Sequence, residues 1–309
     1  HNVALREIAI KKGLKMSEYG IFKRDKMIAG KTEEDVYQAL GLDYIPPELR
    51  EQRGEIEAAL SHTLPTLIEQ KDIKGELHSH SKYSDGENTI EEMAEAAKKL
   101  GYEYLAITDH TISTRIAGGQ TEKEYLKRLE AIDKINSKIK GIKILKGVEV
   151  DIKPDGTLDF SDEALKEADV VIAAIHSSFK MPRAEMTKRI ISALQNRYVN
   201  LFAHPTGRLI GERNPYDVDF EELIKEAKET GTYLELNSHP RRLDLSDIHS
   251  RVAKEHKILI SINTDAHNTN ELENIKYGIG TAKRGWLEKK DVLNTLSFDK
   301  LVKALYIKR

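Results

Sequence analysis

From residue 73 onward, short apolar runs of strand length alternate with stretches of helical periodicity, and this alternation leaves few architectures open. Repeated strand-then-helix units build a parallel sheet covered by helices. Seven candidate strands are read, at residues 75–78, 104–108, 142–150, 170–174, 199–203, 233–236 and 258–263. Helical patterns follow them, the clearest at 90–100, where Thr89 and Glu92 have capping-box spacing and Gly101 provides the stop. Others run at 121–139, 184–197, 220–230 and 245–256. Seven repeats favour a closed barrel over a doubly wound open sheet. The expected fold class is therefore α/β, a seven-stranded (β/α)7 TIM-like barrel.

Residues 1–70 read differently, as helical patterns broken by Gly13, Gly20, Gly30, Gly41 and the Pro46-Pro47 pair. Val3, Leu5, Ile8, Ala9 and Leu14 suggest one amphipathic helix, the segment opening at Thr32 a second, and residues 48–60 a third. A small, mostly helical module at 1–50, a helical linker at 51–72 and a barrel at 73–309 are the expected domains. The chain begins His1-Asn2-Val3, with no initiator Met, basic stretch or apolar signal core, and is read as a fragment.

Composition narrows the chemistry. The chain has 309 residues and no cysteine, so disulfides, thiolate ligands, Fe–S clusters and cysteine nucleophiles are all excluded. Any metal must sit on His, Asp and Glu. The longest apolar run, 170–175, is far short of the ~18 to 20 residues of a membrane-spanning helix, and a cytoplasmic protein without membrane partners is expected. The formal charge of −2 is unevenly spread: residues 1–31 carry +5 and residues 276–309 carry +6, which leaves −13 on residues 32–275. Such a middle repels a polyanion unless bound cations offset it.

Active sites of parallel α/β barrels form at the carboxyl ends of the strands. Six of the eleven histidines fall there: His78 and His80 after strand one, His110 after strand two, His176 after strand four, His204 after strand five and His267 after strand seven. Asp85, Glu149 and Asp265 share the rim, and strand six offers only Asn237 and His239. A single histidine at a strand end is best read as structural, but six with three carboxylates point to a multinuclear metal site. Nine candidate ligands exceed the needs of one ion, so two or three are implied, and three divalent ions, Zn and/or Mn, are expected. Such clusters acidify a bound water and neutralise charge on a phosphoryl group. His62, His249 and His256 lie in helical patterns away from the strand ends and are read as structural or exposed.

In order, His78-Ser-His80, Ser84-Asp85-Gly86, Thr108-Asp109-His110, Gly147-Val-Glu149, His176-Ser177, Ala203-His204-Pro205 and Thr264-Asp265-Ala-His267 resemble the motifs of the polymerase and histidinol phosphatase (PHP) superfamily over about residues 73–290. That resemblance implies a distorted seven-stranded barrel with a trinuclear site. Within the superfamily, the chain looks most like the C-terminal part of a bacterial or archaeal family X DNA polymerase. His1-Asn-Val-Ala-Leu-Arg6, Lys15-Met-Ser-Glu-Tyr-Gly20, residues 30–37 and 44–50 resemble the end of the palm and the thumb. His204-Pro-Thr-Gly-Arg208, Glu235-Leu-Asn237 and residues 241–245 resemble its PHP domain. The helix-hairpin-helix, the fingers and the palm segment with the catalytic aspartates have no counterpart here, so the fragment is not expected to polymerise DNA.

Carried over residue by residue, the resemblance implies one ion on His78, His80, Glu149 and Asp265, a second on Glu149, His176 and His204, and a third on Asp85, His110 and His267. Some phosphatase relatives have His where this chain has Asp85. Asp109, beside a ligand, would orient it or handle protons, and stands with His176 and Asp265 as a candidate catalytic residue. Arg208 and Arg241 are candidates to hold a phosphate. The expected function is a metal-dependent phosphodiesterase acting 3′ to 5′ on DNA ends, single-stranded or gapped, with AP-endonuclease or 3′-phosphatase side activities in repair. Two alternatives stand beside it: a small-molecule phosphomonoesterase of histidinol-phosphatase type, and a non-catalytic domain with a structural or DNA-binding role.

Overall fold

The computed structural model describes residues 1–306, which divide into two compact units, 1–67 and 68–306. The division falls inside the stretch read as linker.

The first unit opens with α1 (Asn2–Lys11), which buries Leu5 and Ala9. A three-stranded antiparallel sheet follows, β1 (Lys15–Ser17), β2 (Gly20–Lys23) and β3 (Lys26–Ala29), in the order β1-β2-β3. The sequence reading contains no such sheet. Its tightest point is the approach of Gly20 to Gly30, where a Cβ on Gly20 would lie 2.2 Å from the Ala29 carbonyl oxygen. Both glycines hold a positive φ, near 140°, which L-residues avoid. Next comes α2 (Glu33–Ala39), capped by the Thr32 hydroxyl, which accepts from Asp35 N–H. The third helix expected over 48–60 is divided: a 3₁₀ turn covers Pro47–Leu49, and α3 covers only Glu55–Leu60. Gly54, with φ +100°, separates the two.

The second unit is the barrel. Its seven strands are β4 (Gly75–Glu76), β5 (Tyr104–Ile107), β6 (Lys143–Asp151), β7 (Val170–Ala174), β8 (Leu201–Phe202), β9 (Tyr233–Asn237) and β10 (Ile260–Asn263). They pair in parallel in sequence order from β4 to β10. Helices α4 (Ile90–Lys99), α5 (Glu122–Asn136), α6 (Asp162–Leu165), α7 (Arg183–Leu194), α8 (Phe220–Thr230) and α9 (Asp247–Glu255) return the chain from one strand to the next, and α10 (Ile275–Arg284) follows the last strand. After β6 that return is only the four-residue α6. The chain then continues through α11 (Phe298–Tyr306). As read from sequence, α4 starts in a capping box between Thr89 and Glu92.

No ladder joins β4 to β10, and side chains stitch that seam. Asn294, fully buried, donates to the carbonyls of Gly75 and Ile262 and accepts from Ile262 N–H. Higher up, the Glu76 carboxylate accepts from the N–H groups of Leu77 and His78 on one side and from Thr264 N–H and Oγ on the other. At the rim, a parallel bridge between Ser79 and Ala266 completes closure, with His80 N–H donating to Ala266 O at 2.8 Å. The apolar core lies in two shells. A large one sits between strands and helices, with Leu105, Val148, Val171 and Phe202; a smaller one fills the barrel's lower end around Leu77, Tyr104, Ile172 and Leu301. With the lower end plugged, the histidines and carboxylates gather at the upper one.

Candidate metal centre

Period-two alternation past the end of β4 sends His78 and His80 to the same side, into the barrel mouth, and both are fully buried. Glu149, on β6, is the hub. Its Oε2 lies 2.8 Å from His110 Nδ1, 3.4 Å from His78 Nε2 and 3.6 Å from His80 Nε2. Its Oε1 lies 3.1 Å from His204 Nε2 and 3.3 Å from His176 Nε2. Asp265 Oδ1 lies 3.1 Å from His80 Nε2 and 3.4 Å from His78 Nε2. On the outer edge, Asp85 Oδ1 is 3.3 Å from His267 Nε2 and 3.7 Å from His110 Nε2. All nine candidate ligands therefore share one cluster. Three subsets have ligand atoms close enough for one ion each: His80, Asp85, His110 and His267; His78, His80 and Asp265; and His110, Glu149 and His176. His204 Nε2 faces the Glu149 oxygen that also faces His176.

A bare protein interior does not tolerate this arrangement well. Buried polar atoms normally find partners, yet His78 Nε2, His80 Nδ1, His110 Nδ1 and Glu149 Oε2 are buried here with no hydrogen bond. Imidazole nitrogens and carboxylate oxygens are the donor set of Zn²⁺ and Mn²⁺, so these residues fit divalent cations. The electrostatics agree. Burial opposes ionisation of Glu149 and Asp265, but the surrounding imidazoles hold both carboxyls well below the usual range. Asp85 is likewise held at about 2, against its partial burial, by His267, His80 and His110. Burial disfavours charge on His176 and His267 too, yet neighbouring carboxylates raise each to about 9. For His80, burial and the adjoining histidines prevail and push it down to about 4.

The cluster is held from behind. Glu235, fully buried on β9, takes His78 Nδ1 at 2.7 Å, which turns His78 Nε2 inward. Asn263 donates to the same carboxylate oxygen, and the other accepts from His204 N–H at 2.8 Å and from Asn237. A carboxylate behind a histidine orients the ring and raises its basicity. Asp109 is saturated: it accepts from Ser81 N–H, Ser81 Oγ and Ser84 Oγ and pairs with Arg128 at 3.3 Å. It thus fixes the loop that presents Asp85. Arg128 is itself fully buried and donates to Gln120, to the carbonyl of Ile107 at the top of β5 and to that of Gly147 midway along β6.

The arginines differ from expectation. Arg208 donates to the backbone carbonyls of Arg242 and Leu243, and Arg241 is half-exposed in an ion pair with Glu212. The guanidinium at the rim is Arg242, whose Nε lies 3.4 Å from Asp265 Oδ2 and whose Nη1 is buried without a partner. Sequence reasoning passed over Arg242, Glu235 as a site residue, and Asp151, which lies 3.7 Å from His176 Nδ1. For Glu235 a signal existed, an acid between Leu234 and Leu236 in an otherwise apolar strand. His62 is exposed against Asp43, His256 is exposed at the end of α9, and His249 stacks on Phe220, all away from the cluster.

Fold and site together define a βα-barrel protein with a cluster of histidines and carboxylates fit for divalent metal at the carboxyl rim. Residues 76–239 match the PHP domain family, and residues 1–51 match the family described as DNA polymerase beta thumb. The chain belongs to the PHP-domain family. It is 46% identical, over 96% of its length, to the DNA polymerase/3′-5′ exonuclease PolX of Bacillus subtilis (strain 168), and spans 52% of that relative. It is also 31% identical to a "probable phosphatase" of Thermoanaerobacter sp. (strain X514), covering 71% of this chain and 89% of that one. A solved structure of the hisK protein of Listeria monocytogenes shares the fold, with a TM-score of 0.52 at 15% identity over 64% of this chain and 97% of the other.

Proposed function

We propose that this chain is a divalent-metal-dependent phosphodiesterase that removes nucleotides from DNA 3′ ends, single-stranded or gapped, with abasic-site cleavage and 3′-phosphate removal as further activities of one centre. The observation that carries this reading is the 46% identity across 96% of the chain to a relative whose name includes a 3′-5′ exonuclease. A nine-residue rim of histidines and carboxylates on the same chain supplies the chemistry. One ion is assigned to His78, His80, Glu149 and Asp265, a second to Glu149, His176 and His204, and a third to Asp85, His110 and His267, as Zn and/or Mn. When bound, ions of this kind acidify water and offset phosphoryl charge.

The chain's own side chains do the rest. Glu235 fixes the tautomer of His78, and Asp109, through Ser81 and Ser84, holds the Asp85 corner in place. Arg242 offers its unpaired Nη1 to a phosphate oxygen more directly than Arg208 or Arg241 can. His176 and Asp265 stand both as ligands and on the reacting face. A DNA substrate goes with a cytoplasmic location; no helix among the described residues is long and apolar enough to cross a membrane.

The test is digestion of a 5′-labelled single-stranded oligonucleotide with Mn²⁺, alongside a chelator control and Asp265→Ala. A ladder shortening from the 3′ end, lost with chelator and reduced at least a hundredfold in the variant, is expected. The likeness to the Thermoanaerobacter phosphatase keeps a second reading in play, a small-molecule phosphomonoesterase. No cleavage of the oligonucleotide together with turnover of a small phosphate monoester decides for that reading.

A further inference from the structure

Two loops of the rim touch next to the centre. The loop after β4 carries Lys82, Tyr83, Ser84 and Asp85, and the loop after β5 carries Thr114, Arg115 and Ile116. A Cβ on Gly118 would lie 3.3 Å from the Ser84 carbonyl oxygen, so the two loops pack backbone to backbone. At one end, Thr114 Oγ1 reaches His176 Nδ1 at 3.4 Å. At the other, Lys82, Tyr83, Arg115, Gln120 and Lys127 line an open hollow of about 440 Å³. A second hollow of about 540 Å³ continues from Lys82 and Tyr83 past Lys134 and Lys138.

The cations here are available. Lys82, Arg115, Lys127 and Lys134 make no side-chain ion pair within 4 Å among the described residues; Glu124 at the same hollow accepts from Thr121 N–H and Oγ1 and feels Lys127 only at longer range. Apolar groups stand exposed among them: Ile116 is fully exposed, and Tyr83 and Ile112 are 45% and 38% exposed. Single exposed apolar residues are ordinary, but three on two touching loops, interleaved with unpaired cations, are a different pattern. Single-stranded nucleic acid presents the complement of this surface, stacked bases beside a run of phosphates. The first hollow, with Lys82, Arg115 and Lys127 against Glu124, is locally basic within the −13 carried by residues 32–275, whereas Glu91 and Glu95 also line the second.

We propose that these two loops form the groove that grips single-stranded DNA leading into the centre, with phosphates on Lys82, Arg115 and Lys127 and bases against Tyr83 and Ile116. This rests on the phosphodiesterase reading above and adds the path of the strand. A small phosphate ester occupies only the metal centre and the Arg242 side, so the groove distinguishes a polymer from a small molecule.

The test compares the full chain with two variants, Lys82→Ala/Arg115→Ala/Lys127→Ala and Tyr83→Ala/Ile116→Ser. Their metal content and melting curves are checked first, and every altered side chain is on the surface. Hydrolysis of a single-stranded oligonucleotide and of bis(p-nitrophenyl) phosphate is measured on the same preparations. Oligonucleotide binding is measured by fluorescence anisotropy in chelator across a salt series. The expected result is a fall of tenfold or more in the ratio of oligonucleotide to small-ester kcat/KM for each variant. The cation variant also flattens the salt dependence of binding by about 0.7 per contact removed, whereas the Tyr83/Ile116 variant weakens binding on the order of tenfold with the slope unchanged. If wild type shortens the oligonucleotide and the ratio stays put in both variants, the groove is overturned while the phosphodiesterase reading stands. If wild type hydrolyses the small ester but neither binds nor cuts the oligonucleotide, both fall.

Discussion

Glu149 faces five imidazoles, those of His78, His80, His110, His176 and His204, all within 4 Å. At the scale of single residues, protonation is the first consequence. In the metal-free chain His176 and His267 stay protonated to about 9, well above the 6.5 of an unperturbed histidine. Raised basic groups stabilise the metal-free fold fully below about 6.5, and this contribution is lost as pH rises through about 9. Against its burial, His78 is raised well above 6.5 as well, by Glu235, Asp265 and Glu149; an ion must displace these protons, so Zn²⁺ binding at pH 7.5 is expected to release about three, and apparent affinity should rise with pH up to about 9. Calorimetric titration in buffers of different ionisation enthalpy counts the protons. Glu235→Gln keeps the shape but weakens the hold on His78 Nδ1, and metal affinity should fall on the order of 10- to 100-fold, read as metal retained after dialysis against a graded chelator. The six rim histidines and Asp265 were legible because each stands at or just past the end of an apolar strand pattern; Glu149 lies on a strand and Asp85 in the loop beyond one. Arg242 was not, because it and Arg241 sit side by side with the same chemistry. Which of the two guanidiniums turns inward is decided by a turn that includes Leu243 at φ +45°, and tertiary context sets that turn.

At the scale of elements, α5 does more than cover the sheet. It sends the Arg128 guanidinium under the rim to bridge the top of β5 to the middle of β6 and to neutralise Asp109. Removing the cation strands a buried carboxylate, which typically costs about 3 to 5 kcal/mol. Arg128→Met should therefore lower the melting temperature sharply, while Arg128→Met with Asp109→Asn should recover part of the loss, as thermal unfolding of the two variants would show. Elements differ in how plainly the sequence announces them. The strand β7 coincides with its reading because five consecutive apolar residues, buried on both faces, allow one interpretation. The sheet β1-β2-β3 went unseen because its strands are three or four residues long and mostly exposed, too short for alternation to register. Its defining contact, Gly20 against Gly30, joins two glycines that read individually as breaks.

At the scale of the barrel, the seam between β4 and β10 is the point of weakness, since side chains there replace a hydrogen-bonded ladder. Asn294 makes three bonds across it, to Gly75 and to both backbone groups of Ile262. Asn294→Ala leaves those buried groups unsatisfied, at about 1 to 3 kcal/mol each. The variant should unfold at lower denaturant, and its metal content should fall along with its stability, because the same seam continues up through Glu76 to His80. Denaturant titration with parallel metal analysis tests the pairing; a variant that unfolds early yet keeps its metal content would contradict it.

The nine residues of the centre are scattered from His78 to His267, and every strand between contributes or supports one. Chains emerge from the ribosome N-terminus first and fold largely as whole domains. The growing chain therefore shows its first imidazoles early, on a half-built sheet with an open edge, and completes the cage only when β10 and the Ala266 bridge arrive. A chain that stops before β10 lacks both Asp265 and His267, and so cannot bring the nine side chains together.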